Sequence, residues 1–243
     1  MTTEEIDEFV QSSIDKKEFK RTMKIETEEY LKEYSKKILR AFIIGAIILI
    51  GFVFSISYLL FAQECYVLPI RSDLQKEFFT IIQSQMGLRE TGNNRGQHVD
   101  NYNKSTGVAF GSPYCASAPY WCYSEAVKKL KLATSDIPIR RTGLANGAFD
   151  AAKQKGTKSQ YQDFSKGDHL IYKSFNSNSG HFTTIKEVGK NGNVTTWEFN
   201  TSPNRTGNQR EGDGNFEKQR NIYHPTGRMG VRGIIKFNKQ SAG

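Results

Sequence analysis

A chain of 243 residues is long enough for one fully cored domain with appendages and short for two. Its 34 Lys and Arg outnumber its 25 Asp and Glu, for a net charge of +9, so a partner of opposite sign is the first expectation. Three cysteines, an odd and small number, exclude a disulfide framework.

Residues 1–40 carry nine basic and ten acidic side chains. Tyr30, Leu31, Tyr34 and Ile38 recur at helical spacing, and Thr27 before Glu28 and Glu29 makes a helix start. The segment reads as a charged helix, a candidate contact for a cytoplasmic or assembly partner. The 22 residues from Ala41 to Ala62 carry no charge. A helix of that length would reach about 33 Å, against about 30 Å of bilayer hydrocarbon, and the run is apolar all round instead of striped. One transmembrane helix is therefore expected over 41–62. Lys32, Lys36, Lys37 and Arg40 precede it, while only Arg71 and Lys76 follow closely. The positive-inside rule then puts the N-terminus in the cytoplasm and the C-terminal part in the periplasm or outside the cell. Forty charged residues ahead of the run favour an uncleaved signal anchor over a cleaved signal peptide.

Residues 63–74 read as a linker and 75–243 as the remaining domain. Residues 66–243 hold 25 basic and 14 acidic side chains, which suits an acidic wall polymer or anionic lipid; nucleic acid is not expected on that side of a membrane. A helix is expected near Leu74–Met86, then a polar, turn-rich stretch over 91–107. Ser112 can cap a second helix, with Pro113 at its first position. Strands are expected at 163–175, 180–188, 193–199 and 230–237. Helices first and an antiparallel sheet afterwards make the domain α+β.

Cys115 falls in the first turn of the helix that Ser112 begins, where unpaired N–H groups and the helix dipole stabilise a thiolate. Cys122, two turns on, reads as a small buried hydrophobe. Seven residues along a helix separate the two by about 10.5 Å, too far to bridge, so Cys115 is free unless Cys65 reaches it. Pro119 removes a backbone donor from this helix. Of four histidines, His181 follows Gly180 and opens an alternating strand, while His98 and His224 read as surface loop residues. His169, beside Asp168, is the second choice of base.

Asn191-Gly192 is a hairpin turn signal. A two-residue loop there sets Ile185 opposite Glu198, Thr183 opposite Asn200 and His181 opposite Ser202. Alternation then turns His181, Glu198 and Asn200 to one face, where a polar neighbour can fix the imidazole tautomer. The run Glu211-Gly212-Asp213-Gly214 offers too few ligands for calcium and reads as a turn. No metal and no cofactor are expected.

GNNRG (92–96), PYCASAPYWCY (113–123), KGDHLIY (166–172), GHFTTI (180–185) and WEFN (197–200) stand in an order and spacing that resemble the CHAP domain. This is the cysteine- and histidine-dependent amidohydrolase/peptidase family, related to NlpC/P60 hydrolases. The resemblance covers roughly residues 75–237 and implies a papain-like fold. It matches Cys115 to the nucleophile, His181 to the base, and Glu198 and Asn200 to the residues that orient the histidine. It implies amidase or endopeptidase cleavage of peptidoglycan, with Tyr114 a candidate to line the cleft. Two other readings stand beside it: a non-catalytic wall-binding module, and a membrane-tethered component of a secretion or assembly complex.

Overall fold

In the computed structural model the chain divides into two compact units, 1–60 and 61–243. Residues 2–60, 63–203 and 212–241 are described, with backbone alone at 3, 5, 7–10, 12, 13 and 53–60. The first unit is one helix, α1 (Thr3–Leu60), of 58 residues. Nothing in its sequence interrupts it: it contains no proline, and its exposed pairs Lys24–Glu28 and Lys37–Glu33 run at the i,i+4 spacing a helix favours.

The membrane expectation is corrected. Among the described residues no helix is long and apolar enough to cross a membrane. The apolar run is no helix of its own but continues one that is charged through Arg40. Phe61 and Ala62 lie outside the described residues. The transmembrane helix over 41–62, and with it the single-pass arrangement of a cytoplasmic N-terminus and an exported domain, is not supported.

The second unit is α+β. Its helices are α2 (Ser72–Ser84), α3 (Gln97–Thr106), α4 (Ser117–Lys129) and α5 (Ala145–Lys155). Its strands are β1 (Glu64–Arg71), β2 (Thr157–Ser159), β3 (His169–Ser174), β4 (Gly180–Val188), β5 (Asn193–Thr201), β6 (Gly214–Asn221) and β7 (Met229–Gln240). They form one sheet in the order β2-β1-β7-β3-β4-β5-β6. The sheet is mixed, not antiparallel, because β1 runs parallel to β7 from Glu64↔Gly233 to Arg71↔Gln240. The segment expected as a linker thus contains a sheet strand, and alternation sends Tyr66, Leu68 and Ile70 into the core.

α2 buries Leu74, Phe78 and Ile82, the i, i+4, i+8 stripe of an amphipathic helix. Phe78 stacks on Tyr123 of α4 with ring centroids 3.9 Å apart. Truncating so buried a ring to Ala costs about 3–5 kcal/mol. α3 forms inside the stretch expected to be turns: Val99 and Tyr102 face inward, and Gly107 ends the helix at a left-handed φ of 78°. Helices α2 to α5 pack on one sheet face, around Tyr102, Tyr123, Phe149, Phe182 and Trp197. The other face buries Leu170, Tyr172, Ile185, Val194 and Ile234 against Tyr161 and Phe164.

Candidate active site

α4 begins at Ser117, later than the sequence suggests, and Cys115 occupies the turn just before it. Helical hydrogen bonding starts there, with the Ala118 N–H donating to the Tyr114 carbonyl at 3.0 Å. Pro119 is the third residue of the helix, in its first turn, and α4 continues unbroken to Lys129. Cys115 is 6 % exposed. Burial opposes ionisation of its thiol, but the hydrogen bond and charge of His181 and the N–H groups of Phe182 and Ala116 outweigh it and lower the pKa. Cys122 and Cys65 feel the opposite balance. Burial raises Cys122 well above an ordinary thiol and Cys65 to about 11. All three cysteines are free.

His181 enters on β4. The β4–β5 register differs from the sequence reading: Thr183 pairs with Glu198 and Ile185 with Thr196. A bulge between Ile185 and Glu187 and a longer loop, closed by Gly189 N–H to the Asn193 carbonyl at 2.7 Å, account for the shift. The slip is two residues, an even number, so His181 and Glu198 still share a face. His181 Nε2 lies 3.0 Å from Glu198 Oε2. With Nε2 taken, Nδ1 is the nitrogen left to exchange a proton with Cys115. Burial lowers the His181 pKa, but hydrogen bonds to Cys115 and Glu198 outweigh it and raise the pKa to about 9. Cys115 and His181 therefore favour a thiolate–imidazolium pair.

Glu198 is fully buried. Its Oε1 accepts from Thr196 Oγ1 and Arg220 Nε, both at 2.7 Å, and its Oε2 accepts from Arg220 Nη2 at 2.7 Å. Burial alone would raise its pKa; the Arg220 and His181 contacts hold it well below the usual carboxylate range. Asn200 stands at a left-handed φ of 54°, and the Nε2 hydrogen bond of His181 goes to Glu198 instead. Asn200 lines the cleft, and its Oδ1 is buried with no hydrogen-bond partner among the described residues. The cleft, about 290 Å³, is walled by Val108, Pro113, Leu144 and Met229 around Cys115, His181 and Asn200.

Tyr114 does not line the cleft: it is fully buried, against Tyr102 and toward Glu90. His169 is no alternative base. It lies fully buried among Phe78, Phe182 and Phe237, bonded to Tyr123 and Thr184, and burial lowers its pKa to about 3. His98 is on α3 and half-buried, not in a loop, and His224 is exposed. Glu211 lies outside the described residues, and Asp213 pairs with Arg89. Among the described residues no cluster of three or more His, Cys, Asp or Glu could hold a metal. A larger hollow of about 790 Å³ lies around Lys218, Arg220 and His224, with no cysteine in its walls.

Sequence reasoning missed Arg220 and Thr196. Thr196 could have been found from its i,i+2 relation to Glu198. Arg220 sits in GNFEKQRN, whose polar character hid a strand. No family model, no curated protein and no solved structure matches the chain.

Proposed function

We propose that the second unit is a cysteine hydrolase that cleaves an amide bond in the peptide stem or bridge of peptidoglycan. The carrying observation is that Cys115 and His181 line one cleft, with His181 Nε2 held 3.0 Å from the buried Glu198 carboxylate. The Cys115 thiolate attacks the amide carbonyl, and His181 gives its Nδ1 proton to the leaving amine. Water, deprotonated by the same nitrogen, then releases the acyl group and restores the thiol. The Cys115 backbone N–H and the Asn200 amide are candidate donors to the oxyanion. The resemblance to CHAP domains supports the substrate class, as does the basic charge of residues 66–243, which suits a wall polymer bearing carboxylates and phosphates.

The experiment is turbidity loss of purified sacculi with wild type and Cys115→Ala, followed by mass spectrometry of the released fragments. Clearing by wild type alone, with new amine and carboxyl ends, supports hydrolysis and names the bond. Binding to sacculi without fragments would overturn the enzyme reading in favour of a wall-binding module.

A further inference from the structure

Arg220 is not among the residues lining the cleft of Cys115 and His181; it borders the separate hollow with Lys218 and His224. It stands on β6, on the far side of Glu198 from His181. Its Nε and Nη2 meet the two carboxylate oxygens at 2.7 Å each, the bidentate fork that fixes a carboxylate in plane. Nη1 donates to Thr226 Oγ1 at 2.7 Å, so the guanidinium is itself anchored.

We propose that Arg220 is a positioning residue, which keeps the Glu198 carboxylate ionised and oriented so that Nε2 of His181 stays bonded to it and Nδ1 stays turned to Cys115. The inference rests on reading Cys115 and His181 as the hydrolytic pair.

The chemistry runs through proton placement. The site alternates in charge: thiolate, imidazolium, carboxylate, guanidinium. Without the guanidinium a fully buried carboxylate would have His181 as its one cationic partner among the described residues, and burial favours the neutral acid. A protonated Glu198 would donate to Nε2 instead of accepting from it. The imidazole would then carry its proton on Nδ1, with no nitrogen free to take one from Cys115 or from water. Among the described residues, the titratable groups around this carboxylate are His181 on β4, Tyr172 on β3, Arg220 on β6 and, beyond the imidazole, Cys115 before α4. Burial holds the Tyr172 phenol up and neutral, which leaves Arg220 as the one fixed positive charge among them.

The test uses the full chain with Arg220→Gln, Arg220→Lys, Glu198→Gln and the double variant Arg220→Gln/Glu198→Gln. The first readout is the pH dependence of Cys115 alkylation, with nitrogen shifts of the His181 imidazole for its tautomer. The second is kcat and KM on a soluble wall fragment. Arg220→Gln should slow Cys115 alkylation at neutral pH by about tenfold, the equivalent of about one pKa unit. It should lower kcat with KM within about twofold of wild type, and Arg220→Lys should recover part of both. In the Glu198→Gln background, loss of Arg220 should cost nothing further.

An unchanged alkylation profile in folded Arg220→Gln, or losses that add in the double variant, would overturn the inference. Should Arg220→Gln fail to fold, Arg220→Lys decides: an intermediate shift supports the role and a wild-type profile overturns it. Alkylation needs no substrate. A wild type that leaves sacculi intact would therefore defeat the proposed substrate without touching this result.

Discussion

His181 and Glu198 meet through a single buried contact, Nε2 to Oε2 at 3.0 Å, and the proton state of each sets that of the other. The carboxylate is also clamped by Arg220 and Thr196, so the imidazole is the member of the pair free to release a proton.

A pH profile follows. Burial works against the His181 cation, and the bonds to Cys115 and Glu198 more than compensate, to about 9. The Cys115 thiol moves the other way, below its ordinary value. The rate constant kcat/KM should rise on the acid side as Cys115 ionises and fall as His181 loses its proton near pH 9. Stability has the same sign. A folded pKa of about 9 above the unfolded 6.5 gives a contribution fully present below pH 6.5 and lost as pH rises through 9. Rates on a soluble wall fragment and melting temperatures of wild type and His181→Gln, each across pH 5 to 10, check both; a rate still climbing past pH 9.5 would contradict the assignment.

The three thiols should separate sharply under alkylation. Cys65 and Cys122 are fully buried with raised pKa values, while Cys115 is lowered and opens on the cleft. At neutral pH, labelling of Cys115 should outrun both others by at least about tenfold, because only the thiolate reacts. Peptide mapping of timed iodoacetamide reactions gives the order. Faster labelling of Cys122 would remove Cys115 from the nucleophile's role.

Pro119→Ala should leave activity within about twofold and stability within about 1 kcal/mol of wild type, since α4 already runs unbroken through the proline to Lys129. Steady-state kinetics with a thermal melt decide it. A large gain in activity would mean that the proline does disturb the nucleophile's turn.

The parts of the site that were legible in the sequence are those whose signals are local. Cys115 follows a Ser-Pro helix signal, and His181 follows a glycine at a strand start, so an error of four residues in where α4 begins left the cysteine beside its helix. Glu198 was found by parity, which survived the bulge at Ile185 only because the register moved by two. Signals that depend on distant partners were not legible. β1 is a strand because β7, more than 160 residues later, supplies its ladder. Arg220 belongs to a polar edge strand with no alternation to betray it. α3 and α5 rest on a few inward side chains, Val99 and Tyr102 in one, Phe149 and alanines in the other, too few to stand out as stripes. Adjacency misled at Tyr114, whose place beside Cys115 suggested the cleft although its ring lies in the core. The span expected over 41–62 is not supported either, since among the described residues no helix is long and apolar enough to cross a membrane.

Glu198 and Asn200 should part company when each is replaced, because the structure gives them different contacts. Glu198 accepts a hydrogen bond from the imidazole, and Asn200 lines the cleft with its Oδ1 unpartnered among the described residues. In Glu198→Gln the neutral amide keeps the shape but withdraws the charge that stabilises the imidazolium. The alkaline limb should then move down from about 9, and kcat should fall by on the order of 10²–10⁴. Asn200→Ala removes an amide whose Oδ1 has no hydrogen-bond partner among the described residues, so no described hydrogen bond is lost through that oxygen. If that amide steadies the oxyanion, kcat falls by about 10²–10³ while both pH limbs stay where they are in wild type. Measuring kcat, KM and the two limbs for both variants separates the roles. A limb that stays near 9 in Glu198→Gln, or one that moves in Asn200→Ala, would mean that the residue orienting His181 has been assigned to the wrong position of the pair.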